Sequence, residues 1–148
     1  MAPYEFIEEY QTVLSCFGQW PSFHDGEVHR VVLDRMHRSS QPERYCANIE
    51  MYLRGWIMTP EVAEGGFYKL NHDSVVHFRF EDVYDVEFDG FNHQNVLSSL
   101  NLSLVFDSKE SKNRLHVELE HCYGLSGSFS AHRAMILSVV PFVRKSDV

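Results

Sequence analysis

Apolar residues at the start of the chain recur at helical spacing. Phe6, Ile7, Tyr10, Val13, Leu14 and Phe17 fall on one face of a 3.6-residue period. Pro3 suits a first turn, Glu5 complements the positive helix end, and Gly18 is a natural stop. The pattern predicts an amino-terminal helix with one buried face.

From Glu27 the period falls to two, the signature of half-buried strands. Between Glu27 and Met36, Val28 and Val32 are expected on one face, with Val31 and Leu33 mostly on the other. Tyr45 to Met58 places Tyr45, Ala47, Ile49, Met51, Leu53 and Ile57 on one side, with a bend expected near Gly55. Asn48, Glu50, Tyr52, Arg54 and Trp56 fall on the other. Ser74 to Glu81 turns Val76, Phe78 and Phe80 inward and His77 and Arg79 outward. Further strands are predicted over Val83 to Asp89, Leu100 to Asp107, Leu115 to Glu120, Ser126 to Arg133 and Met135 to Val143. A short helical turn capped by Asn92 is predicted over Asn92 to Leu97.

Turn-forming residues separate these runs at Ser39 to Pro42, Gly65-Gly66, Asp89-Gly90, Ser108 to Asn113 and Gly124 to Gly127. Short, regular turns join antiparallel neighbours. The expected fold is therefore α+β: mainly antiparallel β-sheet with an N-terminal helix packed on it, as one domain over residues 1–148.

Composition narrows the function more than the fold. A chain of 148 residues with 44% hydrophobic residues can bury a core without disulfides or metal. Its formal charge of −8 argues against nucleic acid as a direct ligand, since phosphate binding needs clustered Lys and Arg; it favours a basic partner or simply serves solubility, the commoner meaning of an acidic surface. Cys16, Cys46 and Cys122 share no CxxC spacing and read as reduced thiols; Cys16 and Cys122 are expected to behave as small buried hydrophobes. The start shows no signal-peptide pattern, and the most apolar stretch, Met135 to Val143, is too short to span a bilayer. A soluble, cytoplasmic protein without a membrane partner is expected.

Candidate chemistry concentrates in Trp20-Pro-Ser-Phe-His-Asp-Gly-Glu-Val28, where a helix ends and a strand begins. His24, Asp25 and Glu27 are acceptable metal ligands or acid–base groups. Zinc sites, however, show spacings such as HxH, HExxH or paired cysteines, which are missing here. Adjacent residues on an extended chain also point to opposite faces. The competing reading is a structural corner, with Asp25 accepting backbone N–H groups and His24 packed with Trp20 and Phe23. No nucleophile elbow or phosphate loop occurs, although Glu50, Asp85, Glu118 and Glu120 offer carboxylates that strands can bring together. No cofactor is expected.

Two further segments matter. Glu81-Asp-Val-Tyr-Asp-Val-Glu-Phe-Asp89 interleaves acidic and apolar residues, so Asp82, Asp85, Glu87 and Asp89 read either as a solvated strand face or as a docking surface for a basic protein. Tyr52, Tyr84, Tyr123 and Trp56 are candidate interface anchors. Gly90-Phe-Asn-His-Gln-Asn-Val96 reads as a loop fixed by Asn92, Gln94 and Asn95, or as part of a small-molecule pocket lined by Trp20, Phe91 and Asn95. An exposed edge strand is also a route to a dimer.

The succession of Trp20 to Val28, His77-Phe-Arg-Phe80, Gly90 to Val96 and a late segment ending near Val140-Pro141 resembles the immunity protein 50 family. The resemblance runs from about Phe17 to Pro141, and Gly26 departs from it where alanine is the expected residue. It implies a non-enzymatic protein of a bacterial polymorphic toxin system that binds and neutralises the toxin encoded beside it. No established catalytic residues carry over. The shared motif residues Trp20, Phe23, His24, Asp25, Glu27, Phe91, Asn92, Gln94 and Asn95 are therefore expected to be structural.

Overall fold

In a computed structural model, which describes residues 1–40, 43–62, 65–66 and 68–143, the chain is a mainly antiparallel β-structure with one α-helix. A 3₁₀ turn, Pro3–Phe6, precedes helix α1, Tyr10–Phe17. The strands are β1 Glu27–Ser40, β2 Glu43–Val62, β3 Tyr68–Asp89, β4 Val96–Asp107, β5 Lys112–Tyr123 and β6 Ser126–Pro141. They follow the order β1-β2-β3-β6-β5-β4, and β1 meets β4 to close a barrel.

The inner face is the alternate set of each strand. Leu53, Val76, Phe78, Phe80, Val117 and Phe129 are fully buried in one cluster that also takes Val13 and Phe17 from α1. Phe78 stacks on Phe80 at 5.6 Å, and Phe80 meets Phe129 edge-on at 4.9 Å. The inward places expected of Val76, Phe78 and Phe80 are the observed ones. The bend expected near Gly55 is a register shift between Gly55 and Ile57.

Four expectations are corrected. The N-terminal helix is interrupted: at Glu8 the backbone accepts from Ile136 N–H and donates to the Ala134 carbonyl, both at 2.9 Å, and Glu9 is left-handed at φ 65°. Pairing with β6 overrides helical propensity there, and it sets Ile7 fully into the core. Ser74 to Glu81 and Val83 to Asp89 are one strand, β3, which continues through left-handed residues Asp82 and Asp85, both at φ 53°; β6 is likewise continuous through Ala134. Asn92 to Leu97 is not helical: the loop runs to Asn95, and Val96 begins β4.

The fourth correction concerns β1. A register shift between Val28 and Arg30 lets Val28, Val31 and Leu33 face Leu53, Met51 and Ile49 in turn, all three of them core residues. Val31 and Leu33 therefore share the side of Val28, which strict alternation does not predict. The Ser39 to Pro42 turn is described only to Ser40, since Gln41 and Pro42 lie outside the described residues.

Barrel closure is short. The one register pair between β1 and β4 is Glu27 with Val96. Backbone bonds from Asp25 N–H to Leu97 O, Leu97 N–H to Gly26 O, and Val28 N–H to Asn95 O, each 2.9 Å, extend the seam into the residues before β1. Past Val28, among the described residues, β1 has a strand partner only on its β2 side. The Gly90–Val96 loop therefore meets β1 beside an open edge.

Candidate functional site

The Trp20–Val28 segment is the corner that makes the closing seam. Phe23 and Asp25 are left-handed, at φ 59° and 60°, in a tight turn closed by the Gly26 N–H on the Phe23 carbonyl at 2.8 Å. The Phe23 ring is buried against Phe17, Trp20 and Phe78, and Trp20 stacks on Tyr4 at 5.0 Å. Gly26 has no room for a side chain: a Cβ there would lie 2.8 Å from the Phe23 carbonyl oxygen and 2.9 Å from that of Arg54. The departure from alanine at this position is thus backed by backbone on two sides.

His24 does not pack with Trp20 and Phe23. Its exposed ring places Nδ1 2.9 Å from the Ser98 carbonyl oxygen and Nε2 3.5 Å from the exposed Asp25 carboxylate. Glu27 contributes to the field at Arg54, whose guanidinium grips Asp73 through two bonds of 2.8 and 2.7 Å. The Asp73 hydrogen bond, with the charges of Asp73 and Glu27, raises the Arg54 pKa against the opposing effect of burial. Among the described residues, no three His, Cys, Asp or Glu side chains are grouped so as to hold a metal ion.

Asn95 ties the second motif together. Its Oδ1 accepts the backbone N–H of Asn92 at 2.8 Å and of Leu125 at 3.1 Å, while Nδ2 donates to the Asn92 carbonyl at 3.0 Å. Gly124 packs against the same loop: its Cβ would stand 2.2 Å from Gln94 O. Asn92 Oδ1 accepts from the His93 N–H. Phe91, by contrast, points away and is 58% exposed.

Phe91 borders an apolar cleft of about 200 Å³ whose other walls are Val31, Leu33, Phe88 and Leu125. Neither Trp20 nor Asn95 lines it, so the three residues expected to frame a small-molecule pocket do not meet in this one. Leu33 also belongs to a neighbouring cleft of about 190 Å³ with Asp34, Ala47, Ile49, Val83 and Val86. Both clefts are formed on the carboxyl-terminal part of β3, far along the strand from Ser74, which contacts Cys16 of α1.

Along that part of β3 the carboxylates alternate with the cleft walls. Asp85, Glu87 and Asp89 are exposed and make no ion pair among the described residues. Asp82 differs, since Arg44 binds its carboxylate, with His132 Nδ1 3.5 Å from the same oxygen. The carboxylate ties β2 to β3, and the Asp82 backbone carbonyl accepts from His132 Nδ1 of β6 at 2.8 Å.

Glu87 and Asp89 pair across the sheet with Ser128 and Ser126, and Ser128 pairs onward with Glu118. Small serines thus separate two acidic rows and leave a polar groove of about 400 Å³ beside Glu118 and Glu120. Asn101 Nδ2 bridges these two carboxylates at 2.8 and 2.9 Å, and hydrogen bonds from Asn101 and Ser99 hold the Glu120 carboxyl below its usual pKa. Glu50 is elsewhere, bonded to His77 at 2.6 Å.

Of the candidate anchors, Tyr84 and Tyr123 are exposed, Tyr52 stacks on His77 at 4.0 Å, and Trp56 lies under the Arg54 guanidinium. Cys122 is exposed rather than buried. No helix among the described residues is long and apolar enough to cross a membrane. Sequence reasoning missed Val31 and Leu33 as walls of an open cleft because the β1 register shift is invisible in periodicity; two adjacent β-branched residues before Leu33 were the available hint.

Comparison with known families gives a match of residues 9–142 to the family model described as immunity protein 50. No curated protein and no solved structure matches the chain.

Proposed function

The chain belongs to the immunity protein 50 family, and from that membership we propose that it binds a cognate bacterial toxin and neutralises it by occluding the toxin's active surface, without catalysis. It acts in the cytoplasm of the toxin-producing cell, needs no cofactor, and meets a toxin domain whose contacting surface is basic. The observation that carries this reading is the row Asp85, Glu87 and Asp89: exposed, free of internal ion pairs among the described residues, and borne on the stretch of β3 whose other face, at Phe88, walls an open apolar cleft. Carboxylates already neutralised within the fold contribute little to steering, whereas unpaired ones raise the association rate with a positive surface.

The test is co-expression with the toxin encoded beside the gene. Growth should be restored, and the two proteins should co-purify as a complex that withstands gel filtration. Loss of growth with no complex would overturn the reading.

A further inference from the structure

We propose that the paired clefts meeting at Leu33 are the anchor site for the toxin, and that they take a large apolar side chain flanked by Lys or Arg on an extended segment. This rests on the toxin-binding reading and adds to it the place of contact and the chemistry of what is bound.

Three observations converge on one surface. Leu33 is 61% exposed and Phe91 58%, although both line apolar walls, so among the described residues the clefts are open. Contiguous apolar surface of this kind on a folded domain marks an interaction site more often than scattered hydrophobes do. Secondly, the walls of the Phe91 cleft that are not β1 are Phe88, Phe91 and Leu125, none of them on β2, and the loop that carries Phe91 meets β1 on its side away from β2. That is the edge left without a strand partner past Val28 among the described residues, and it offers main-chain N–H and C=O groups to an extended peptide.

Charge selects the occupant. Asp34 lines one cleft, and Glu87 and Asp89, in register with Ser128 and Ser126, stand on the face of β3 opposite the wall residue Phe88, where the alternate residues of an extended segment would turn. Arg35 is the cation in the lining, and its guanidinium is turned onto the Met36 sulfur. A second copy docking over the same stretch of β3 by two-fold symmetry would set these carboxylates against their own copies, which costs binding energy. An extended segment that alternates a large apolar residue with Lys or Arg matches the cleft with the first and these carboxylates with the second. Large side chains desolvated in a central pocket are where interface energy concentrates.

The experiment measures binding of an inactivated form of the toxin domain encoded beside the gene to four versions of the full chain. These are wild type, Leu33→Asp with Phe91→Asp, a charge variant with Glu87→Lys and Asp89→Lys, and Phe106→Asp as a control at an exposed apolar residue outside the clefts. Because Leu33, Phe91, Glu87 and Asp89 are exposed, all versions should keep the wild-type melting temperature within a few degrees. The Leu33/Phe91 variant should lose at least about thirtyfold in affinity. The charge variant should associate about tenfold more slowly at low salt, with less salt dependence. The Phe106 variant should bind as wild type.

If the folded Leu33/Phe91 and charge variants bind like wild type, the clefts are not the anchor and the proposal is overturned. If wild type itself does not bind that toxin, the toxin-binding reading falls and this proposal with it. Sedimentation of the chain alone completes the test: a dimer abolished by Leu33→Asp would assign the clefts to a second copy and equally overturn the proposal.

Discussion

Asn95 Oδ1 accepts the backbone N–H of Leu125 at 3.1 Å, joining the Gly90–Val96 loop to the turn between β5 and β6. Phe91 on that loop and Leu125 on that turn are walls of the same cleft. A motif whose polar atoms are engaged by backbone thus sets the shape of an open apolar surface. Motif and proposed docking site are neighbours with different tasks.

Asn95→Ala should therefore destabilise the fold well beyond the usual cost of a surface change. It strands the N–H groups of Asn92 and Leu125, with Asn95 itself buried. At about 1–3 kcal/mol for a buried group left unpaired, a loss of about 2–4 kcal/mol is expected in urea denaturation. A loss under about 0.5 kcal/mol would show that the loop does not depend on this side chain.

Gly26 and Gly18 separate two reasons for glycine. Gly18 is left-handed at φ 79°, and a Cβ added there would meet nothing within 4 Å, so Gly18→Ala incurs backbone strain alone, about 1 kcal/mol. Gly26→Ala instead drives a methyl into two carbonyl oxygens at the barrel seam, at about 1–3 kcal/mol. Thermal denaturation should rank Gly26→Ala as the more damaging of the two.

Glu120 gives a pH signature. Asn101 and Ser99 donate to its ionised form, so its pKa is lower in the folded state than the ordinary 4.5. A carboxylate with a depressed folded-state pKa adds stability above its unfolded value, and that contribution disappears as pH falls through the folded value. Asn101→Ala should move the Glu120 titration, followed by carboxyl NMR, upward toward the ordinary value. An unchanged midpoint would mean that the Asn101 bridge is not formed in solution.

Asp82→Ala tests the division within the acidic segment. Arg44 already occupies the Asp82 carboxylate, so its removal should loosen β2 against β3, at about 1 kcal/mol, while the His132 bond to the Asp82 backbone carbonyl is kept, and should leave the toxin association rate within twofold of wild type. Equal slowing by Asp82→Ala and by Asp85→Ala would contradict that division.

Periodicity carried the strands because each buries one face: Val76, Phe78 and Phe80 alternate without interruption, and their inward direction could be read directly. It failed where the chain departs from regular geometry. The shift at Val28–Arg30 reverses the side on which Val31 and Leu33 stand, and pairing of Glu8 with β6 splits a helix whose apolar spacing is unbroken. Barrel closure was out of reach for a different reason: the seam depends on left-handed Phe23 and Asp25, a conformation that side-chain type alone does not specify. The acidic segment was legible as a surface, but the partners that remove Asp82 from it come from β2 and β6 and are distant in sequence.

The most direct measurement of the central claim is a titration of the adjacent-encoded toxin's activity with this protein. Neutralisation by occlusion predicts a linear fall to an end point at a fixed stoichiometric ratio, with no turnover on longer incubation. Inactivation by a small substoichiometric amount, growing with time, would instead reveal catalysis and contradict it, as would full toxin activity in the presence of excess protein.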